Sequence, residues 1–410
     1  MRLLYSFAIY IYSFFINVAA LVGNKKAALW VGGRKKWEDN LVNFSQGKKK
    51  VTWFHVASLG EFEQARPLIE QIKKVDPEEY ILVSFFSPSG YEIRKNYKLA
   101  DKVIYLPADT PKNVKAFLDL VKPHRIIFVK YEFWFNYLNQ IQLHNTTCYL
   151  ICGIFRANQH FFKVYGGWFK KHLAAFDYFF VQNHESLNLL ESIGFKNASK
   201  TGDTRLDRVL SISKEPFSEE RFESFSKENP VLIFGSSWEK ENDLAVNFAT
   251  IRPNVKIIIA PHEIDTNKIN ALKERFTSPC KLLSETSPNE DLGKVKVLII
   301  DQIGLLSKLY RYGKYAFIGG GFGSGIHNTL EAIIYGCPVL FGPNYKKFQE
   351  AHDLLEIGAG FCVQNQEQLY TTIEFLNGES NYYCARTAAE KYVIQNVGAT
   401  NKILEYIYKR

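Results

Sequence analysis

The sequence predicts an α/β protein: two doubly wound parallel-sheet domains behind an N-terminal membrane-anchoring helix. Three observations predict it. Short apolar, β-branched runs alternate with helical stretches from residue 51 to 181 and again from 231 to 363. A polar, charged stretch at 209–230 ends at Pro230 and separates the two series. Residues 3–22 carry no charged side chain, and twenty helical residues span about 30 Å, the thickness of a bilayer's hydrocarbon core.

Composition agrees. A chain of 410 residues is too long for one ordinary core and suits two domains of about 150–200 residues. With 46% hydrophobic and 23% charged residues it is globular rather than disordered. The abundant Phe and Tyr read as core filling. The net charge of +9 suits an anionic partner such as nucleic acid, phospholipid headgroups or a phosphorylated substrate. Against nucleic acid stand the absence of zinc-finger spacing, of an RNP-like aromatic motif and of a long basic arm. Cys148, Cys152, Cys280, Cys337, Cys362 and Cys384 form no CxxC pair and read as reduced core residues, with no disulfide framework and no zinc site.

Taken in order, the first element is the anchor, 1–24. Only Arg2 precedes the apolar stretch, whereas Lys25, Lys26, Arg34, Lys35 and Lys36 follow it. The positive-inside rule therefore places the body of the protein on the cytoplasmic side of the membrane. A cleaved signal peptide would have a shorter apolar region and its basic cluster on the other side. A helix lying in the interface is the remaining rival, because six aromatics and several polar residues suit a shallow position. Spanning and lying flat both stay open.

The first domain, 25–210, contains strand candidates at 51–56, 80–85, 102–106, 125–129, 147–151 and 178–181. A linker, 211–229, leads to the second domain, 230–390, with candidates at 231–234, 256–260, 296–300, 315–318, 338–341 and 360–363. Residues 391–410 read as a helix returning to the first domain. Two such domains face a cleft, with ligands at the C-terminal edges of both sheets.

Several motifs are missing. There is no Walker A sequence, and the glycine run 319–325 fails the G-x-G-x-x-G spacing in every register. Neither HExxH nor an Asp-x-Asp pair occurs, so neither a catalytic metal nor a cofactor is expected.

Two segments carry chemistry. At 318–351 a strand ends at Ile318 and Gly319, Gly320, Gly321, Gly323, Ser324 and Gly325 follow. Glycines let backbone N–H groups approach an anion. A helix expected to start near residues 326–328 would offer its N-terminus to a phosphate, with Glu331 one turn in, placed for ribose hydroxyls. At 55–61, His-Val-Ala-Ser-Leu-Gly-Glu puts Glu61 after a strand and a Gly-containing turn, where a general base could take a proton from an acceptor hydroxyl. A first-turn Glu that only complements the helix dipole is the plainer reading of each.

These segments resemble the transferases of 3-deoxy-D-manno-octulosonic acid (Kdo). The family's glycine turn, His-Asn-x-Leu-Glu, Gly-x-Pro-Val-x-Phe-Gly-Pro and Phe-x-Glu-Ala stand here in order as His327, Asn328, Leu330 and Glu331, then residues 336–343, then 348–351. The first-strand motif maps its proposed catalytic base onto Glu61, beside Ser58 and Gly60. Looser matches place Lys130 and Glu132 in a Glu-x-Glu-x-Trp-Pro-Asn stretch, Arg156 after a strand, and Arg205 in the cation position of Gly-Asn-x-Lys-x-Asp. Gly-Ser-Thr-His becomes Ser236, Ser237 and Trp238, and Pro261 and His262 stand in a Pro-Arg-His-Pro-Glu stretch that lacks its Arg.

The resemblance implies a GT-B fold of two Rossmann-like domains and an inverting, metal-independent transfer of Kdo from CMP-Kdo to the primary hydroxyl of a lipid A precursor in lipopolysaccharide biosynthesis. It implies Glu61 as base and the glycine turn, His327, Asn328, Glu331, Ser236, Ser237, Pro261, His262 and Arg205 at the donor. Ser58, Gly60, Lys130, Glu132 and Arg156 would lie at the acceptor or sugar. Membrane phospholipids, those of the inner membrane by the same resemblance, would be met by the basic cluster from Lys25 to Lys36 with Lys48, Lys49 and Lys50. A GT-B enzyme using a UDP sugar and a lipid-linked acceptor is the alternative. A catalytically dead, membrane-tethered binding protein would have been signalled by loss of Glu61 or Glu331, and both are present.

Overall fold

A computed structural model describes residues 1–47, 50–144, 146–252 and 254–409; of the basic cluster, Lys48 and Lys49 lie outside the described residues. The chain forms two compact units, 1–207 with 398–410, and 208–397. Each holds one sheet, with every strand pairing parallel.

In unit 1 the strands are β1 (Val51–Val56), β2 (Tyr80–Phe85), β3 (Lys102–Tyr105), β4 (Arg125–Val129), β5 (Thr147–Gly153), β6 (Tyr178–Val181) and β7 (Ala198–Lys200). Their order is β3-β2-β1-β4-β5-β6-β7. The order reverses between β1 and β4, so the crossovers leaving these two strands run to opposite sides and open a crevice at their C-terminal ends. β1 is buried along its whole length. Trp53 joins one apolar cluster, whereas Phe54 and Val56 join the other, as a pleat with period two requires.

Helices α1 (Arg2–Leu21) and α2 (Lys25–Arg34) precede the sheet, and α3 (Leu59–Val75) follows β1. Helix α1 is the one helix among the described residues long and apolar enough to cross a membrane. Arg34 does not face outward as the basic-cluster reading expected. Its guanidinium donates to the carbonyls of Leu106 (2.7 Å), Phe86 (2.9 Å) and Trp30 (3.2 Å) and stacks over the Trp30 ring, which fixes α2 to the sheet edge.

Unit 2 contains β8 (Val231–Ser237), β9 (Lys256–Pro261), β10 (Cys280–Leu282), β11 (Val297–Ile299), β12 (Tyr315–Ile318), β13 (Val339–Phe341) and β14 (Gly360–Cys362), in the order β10-β11-β9-β8-β12-β13-β14. Its switch point lies between β8 and β12. The twelve expected strands are present; β7 and β10, three residues each, were not expected.

The expected boundaries shift. The first unit ends at Asp207 rather than at 210, inside helix Thr204–Ser213. The stretch read as a linker, 211–229, holds helix Glu220–Ser226, whose Phe222 and Phe225 are buried. The return to unit 1 starts at Gly398 rather than 391, because helix Glu379–Asn396 belongs to unit 2. The Asp207 carboxylate accepts the N–H groups of Gly398 (2.5 Å) and Thr400 (2.6 Å), supplying a cap to helix Ala399–Lys409. Ile403 and Ile407, one turn apart, then enter the β1–β2 cluster. Of the cysteines, Cys148, Cys152 and Cys337 are buried, whereas Cys384 is exposed and is no core residue.

Ile403 is fully buried. Its replacement by Ala is expected to cost unit 1 about 2–4 kcal/mol, whereas exposed Lys402→Ala stays within about 0.5 kcal/mol; denaturant unfolding followed by hydrogen exchange in β1 distinguishes them.

Candidate active site

The predicted residues fall into two groups, one at the C-terminal edge of each sheet and each beside that sheet's switch point. The first follows β1 and β4. Ser58 takes an extended conformation as the N-cap of α3, and its hydroxyl accepts the Glu61 N–H at 3.5 Å. Glu61 reaches back to accept the Ala57 N–H at 2.5 Å. Glu61 thus ties the chain just before the helix to its first turn, one residue ahead of the N–H that a capping box would use. Gly60 is the second residue of the helix, not part of a turn before it, and it is exposed.

Glu61 is also 9% exposed and faces Glu132. Burial, and then the Glu132 charge, push its carboxyl up to about 8, against the lowering effect of the Ala57 N–H and of Lys130. Glu132 is itself buried and held by two donors. The Trp134 indole N–H donates to it at 2.7 Å, and His55 Nε2 lies 2.9 Å away. One proton assignment satisfies the chain: Trp53 N–H to Ser84 Oγ (2.7 Å), Ser84 O–H to His55 Nδ1 (2.9 Å), and His55 Nε2–H to Glu132. His55 is completely buried. The network is largely buried, so the Glu132 charge acts on Glu61 with less screening than at the surface.

Lys130 ends β4 in the left-handed region, φ 67°, a conformation that costs a non-glycine residue free energy and that concentrates at functional sites. Cys152 and Ser236, the next-to-last residues of β5 and β8, share it. Arg156 is exposed at the end of β5, its guanidinium donating to the Tyr131 hydroxyl at 3.3 Å. Lys130 stands over the same ring. Arg205, expected at the donor, lies in unit 1 with this group. It grips Asp203 through Nε (3.0 Å) and a terminal nitrogen (2.7 Å) and holds that buried carboxyl below its usual range. Its charge is therefore already matched.

The second group follows β8, β9 and β12. Two expectations about the glycine run change. The helix after it, Leu330–Ile333, starts later than residues 326–328 and has four residues, too short to present a developed dipole. Glu331 is its second residue, and Asn328 donates to Glu331 at 3.0 Å. The turn also uses amides expected for an anion: Gly323 and Gly325 donate to the Gly320 carbonyl, and Gly320 donates to Glu241 at 2.8 Å. Gly320 needs its missing side chain, since it sits at φ 87°. At Gly321 a Cβ would lie 2.5 Å from Gly342 N, so this glycine serves close approach to the turn after β13. Ser324 and Gly323 remain exposed.

Trp238, His262 and His327 form a stack, with centroids 4.7 Å apart for the first pair and 4.3 Å for the second. The indole N–H donates to His327 Nε2 at 3.0 Å, which leaves the ring proton on Nδ1. Burial and His262 lower His327 to about 4, so it is neutral near pH 7. The Ser237 hydroxyl is buried without a hydrogen-bond partner among the described residues. A cavity of about 390 Å³ opens here, lined by Ser237, Trp238, Pro261, Lys268 and Arg275 among others.

Sequence reasoning missed Trp134, Asp203 and Glu241. Each had a local signal: Trp134 and Asp203 stand two residues from Glu132 and Arg205 in the same motif stretches, and Glu241 lies three residues after Trp238 at a helix start, where its carboxylate accepts the Trp238 N–H at 3.1 Å.

Known proteins resemble this chain. Residues 35–208 match the family model described as 3-deoxy-D-manno-octulosonic-acid transferase. A 3-deoxy-D-manno-octulosonic acid transferase of Aquifex aeolicus is 29% identical over 332 residues, 79% of this chain and 85% of the relative. One of Rickettsia bellii is 25% identical over 89% of each chain. A bifunctional glycosyltransferase/methyltransferase of Fusobacterium nucleatum is 28% identical over 81% of this chain, which spans 53% of that relative's length. Among solved structures, UDP-GlcNAc 2-epimerase from Neisseria meningitidis superposes with TM-score 0.61 at 15% identity, over 88% of this chain and 100% of that one. MurG of Acinetobacter baumannii does so with TM-score 0.57 at 12% identity, over the same shares. These two share the fold.

The raised Glu61 carboxyl links stability to pH. Because its folded value near 8 lies above the ordinary 4.5, the stability it contributes is full below about pH 4.5 and is lost as pH rises through about 8. Glu61→Gln, which does not titrate, is expected to unfold later than wild type at about pH 9, with the gap closing toward about pH 4.5; thermal unfolding at both pH values measures it.

Proposed function

We propose, on the premise that the chain belongs to the Kdo transferase family, that it moves Kdo from CMP-Kdo to the primary hydroxyl of a lipid A precursor with inversion. The observation that carries the reading is Glu61, a buried carboxyl at the β1–β4 switch point, raised to about 8 and lying within the residues that match the family.

A base whose pKa lies near the working pH combines a useful ionised fraction with strong proton affinity. Glu61 takes the proton of the acceptor hydroxyl as that oxygen forms a bond to the anomeric carbon of Kdo. The bond from that carbon to the CMP phosphate breaks on the opposite face, and its electron pair leaves with CMP. The leaving group is weakly basic and needs charge stabilisation rather than a proton. The Ser237 hydroxyl, the Nδ1–H of neutral His327 and the exposed Ser324 supply hydrogen-bond donors for it. With the glycine amides partly engaged, these side chains carry more of that role than the sequence reading gave them. Glu331, with Asn328, meets the ribose. Lys130 and Arg156 are the cations for the Kdo carboxylate, and Glu132 acts on Glu61 rather than on sugar. No metal enters this scheme.

Helix α1 and the exposed Lys25, Lys26, Lys35 and Lys36 hold the protein at the cytoplasmic face of the inner membrane, where an acylated, phosphorylated acceptor is presented. Partners are therefore CMP-Kdo, the lipid A precursor and phospholipids, not nucleic acid.

Detergent-solubilised protein with CMP-Kdo, a tetra-acylated lipid A precursor and EDTA is expected to add Kdo, read as a mass increase. Glu61→Ala is expected to slow transfer by about 10²–10⁴-fold. Turnover with a UDP sugar and none with CMP-Kdo would favour the alternative donor, and a wild-type rate in the variant would remove Glu61 as base.

A further inference from the structure

We propose that α1 does not cross the bilayer but lies along it, latched to unit 1 by polar contacts at its start while its apolar face enters an anionic leaflet together with the basic segment at residues 163–171. The inference rests on the membrane attachment proposed above and specifies its geometry.

The stripe that faces the protein makes its polar contacts at its start, with Ser6 buried and Ile9, Ser13 and Ile16 half-buried along the same line. The Tyr5 hydroxyl donates to Asp109 at 2.6 Å, and the Ser6 hydroxyl lies 3.2 Å from Asn136 Nδ2, which also donates to the Asp109 carbonyl at 2.6 Å. Ser6, Asp109 and Asn136 are buried. Asp109 also accepts the Asn136 (3.2 Å) and Tyr137 (3.0 Å) N–H groups, so the latch closes a network built into the sheet edge. Farther along, Tyr12 stacks on Phe86 (6.4 Å) and meets Trp30 of α2 edge-on (6.2 Å). From residue 5 to residue 12 the helix advances about 10 Å with unit 1 alongside it.

Those contacts are incompatible with crossing. A hydrocarbon core of about 30 Å takes up twenty helical residues. It would strip Tyr5 and Ser6 from Asp109 and Asn136, leaving buried polar groups unpaired, or draw the sheet edge into lipid.

The opposite face fits a membrane surface. Leu3, Leu4, Phe7, Ile11, Phe14, Phe15, Val18 and Leu21 are exposed, at the three- and four-residue spacing of one helix face. The charge around it has one sign. Residues 1–37 contain six Lys or Arg and no Asp or Glu, and of the six only Arg34 turns inward. Glu38 and Asp39 are the nearest exposed acids in sequence. At the start of α1, Trp168 packs against Tyr5 with centroids 6.0 Å apart. That brings up a second acid-free stretch, 157–175, whose Lys163, Val164, Tyr165, Lys170 and Lys171 are exposed. An interfacial helix binds through buried apolar area and attraction to anionic lipid, and this surface offers both.

The test uses the full chain on inverted inner-membrane vesicles, with the catalytic units outward. Arg2→Cys is expected to react with a membrane-impermeant maleimide without permeabilisation, above the background of exposed Cys384 in wild type. Labelling only after detergent would place residue 2 across the bilayer and overturn the proposal. In flotation, Lys163, Lys170 and Lys171 changed together to Ser should weaken binding to phosphatidylglycerol-containing vesicles by on the order of 100-fold, with little effect on pure phosphatidylcholine. Unchanged binding would remove the 163–171 segment from the surface. Failure of wild type to float with either vesicle would sink the membrane attachment itself, and loss of Kdo transfer with labelling intact would fault the catalytic reading alone.

Discussion

The burial of His55, Glu61 and Glu132 together, at the C-terminal ends of β1 and β4, is the constraint on which unit 1 depends. Two carboxyls this close and this buried cannot both ionise cheaply. The protein resolves the conflict unequally. Glu132 receives the Trp134 indole and the His55 ring, the latter oriented through Ser84 by Trp53. Glu61 receives backbone N–H groups and the edge of solvent. Burial, and then the Glu132 charge, hold the Glu61 proton into the neutral range. A tryptophan beneath β1 and another after β4 thus help to place the carboxylate that adds to the effect of burial on Glu61.

Each unit repeats the same solution at its own switch point. A parallel sheet whose order reverses leaves a crevice at its C-terminal edge. In unit 1 the crevice holds carboxyls and cations; in unit 2 it holds a glycine turn, two stacked histidines and a tryptophan. Lys130, Cys152 and Ser236 take left-handed backbone at C-terminal strand ends, as Lys36, Asn43 and Lys122 do elsewhere. Elsewhere polar side chains brace the frame, as where Asp207 caps the helix that brings Ile403 and Ile407 back into unit 1.

Much of this was legible in the sequence, for physical reasons. Central parallel strands are buried on both faces, so they appear as apolar runs; these, with the edge strands β3 and β14, made the twelve that were readable. β7 and β10 are three-residue edge strands, Ala-Ser-Lys and Cys-Lys-Leu, with too few apolar residues to register. Ser58 and Glu61 were readable because a short Ser-Leu-Gly-Glu segment directly after an apolar strand is a local pattern. Trp134 and Glu241 also act through contacts that spacing does not encode: Trp134 meets His55 from 79 positions away, and Glu241 meets Gly320 from the same distance. The late, short helix at Leu330 escaped because the glycine turn folds on itself first. Trp238, visible as a departure from the family pattern, became interpretable only when it was found stacked with His262 and bonded to His327.

The account stands most directly on the influence of Glu132 over Glu61. The decisive measurement is the pH dependence of kcat/KM for Kdo transfer by wild type and by Glu132→Gln, which keeps the shape and removes the charge. Wild type should show a rising limb with an apparent pKa near 8. In the variant that limb should move down toward the ordinary carboxyl range. A limb that stays in place when the Glu132 charge is gone would contradict the claim that the buried pair sets the base.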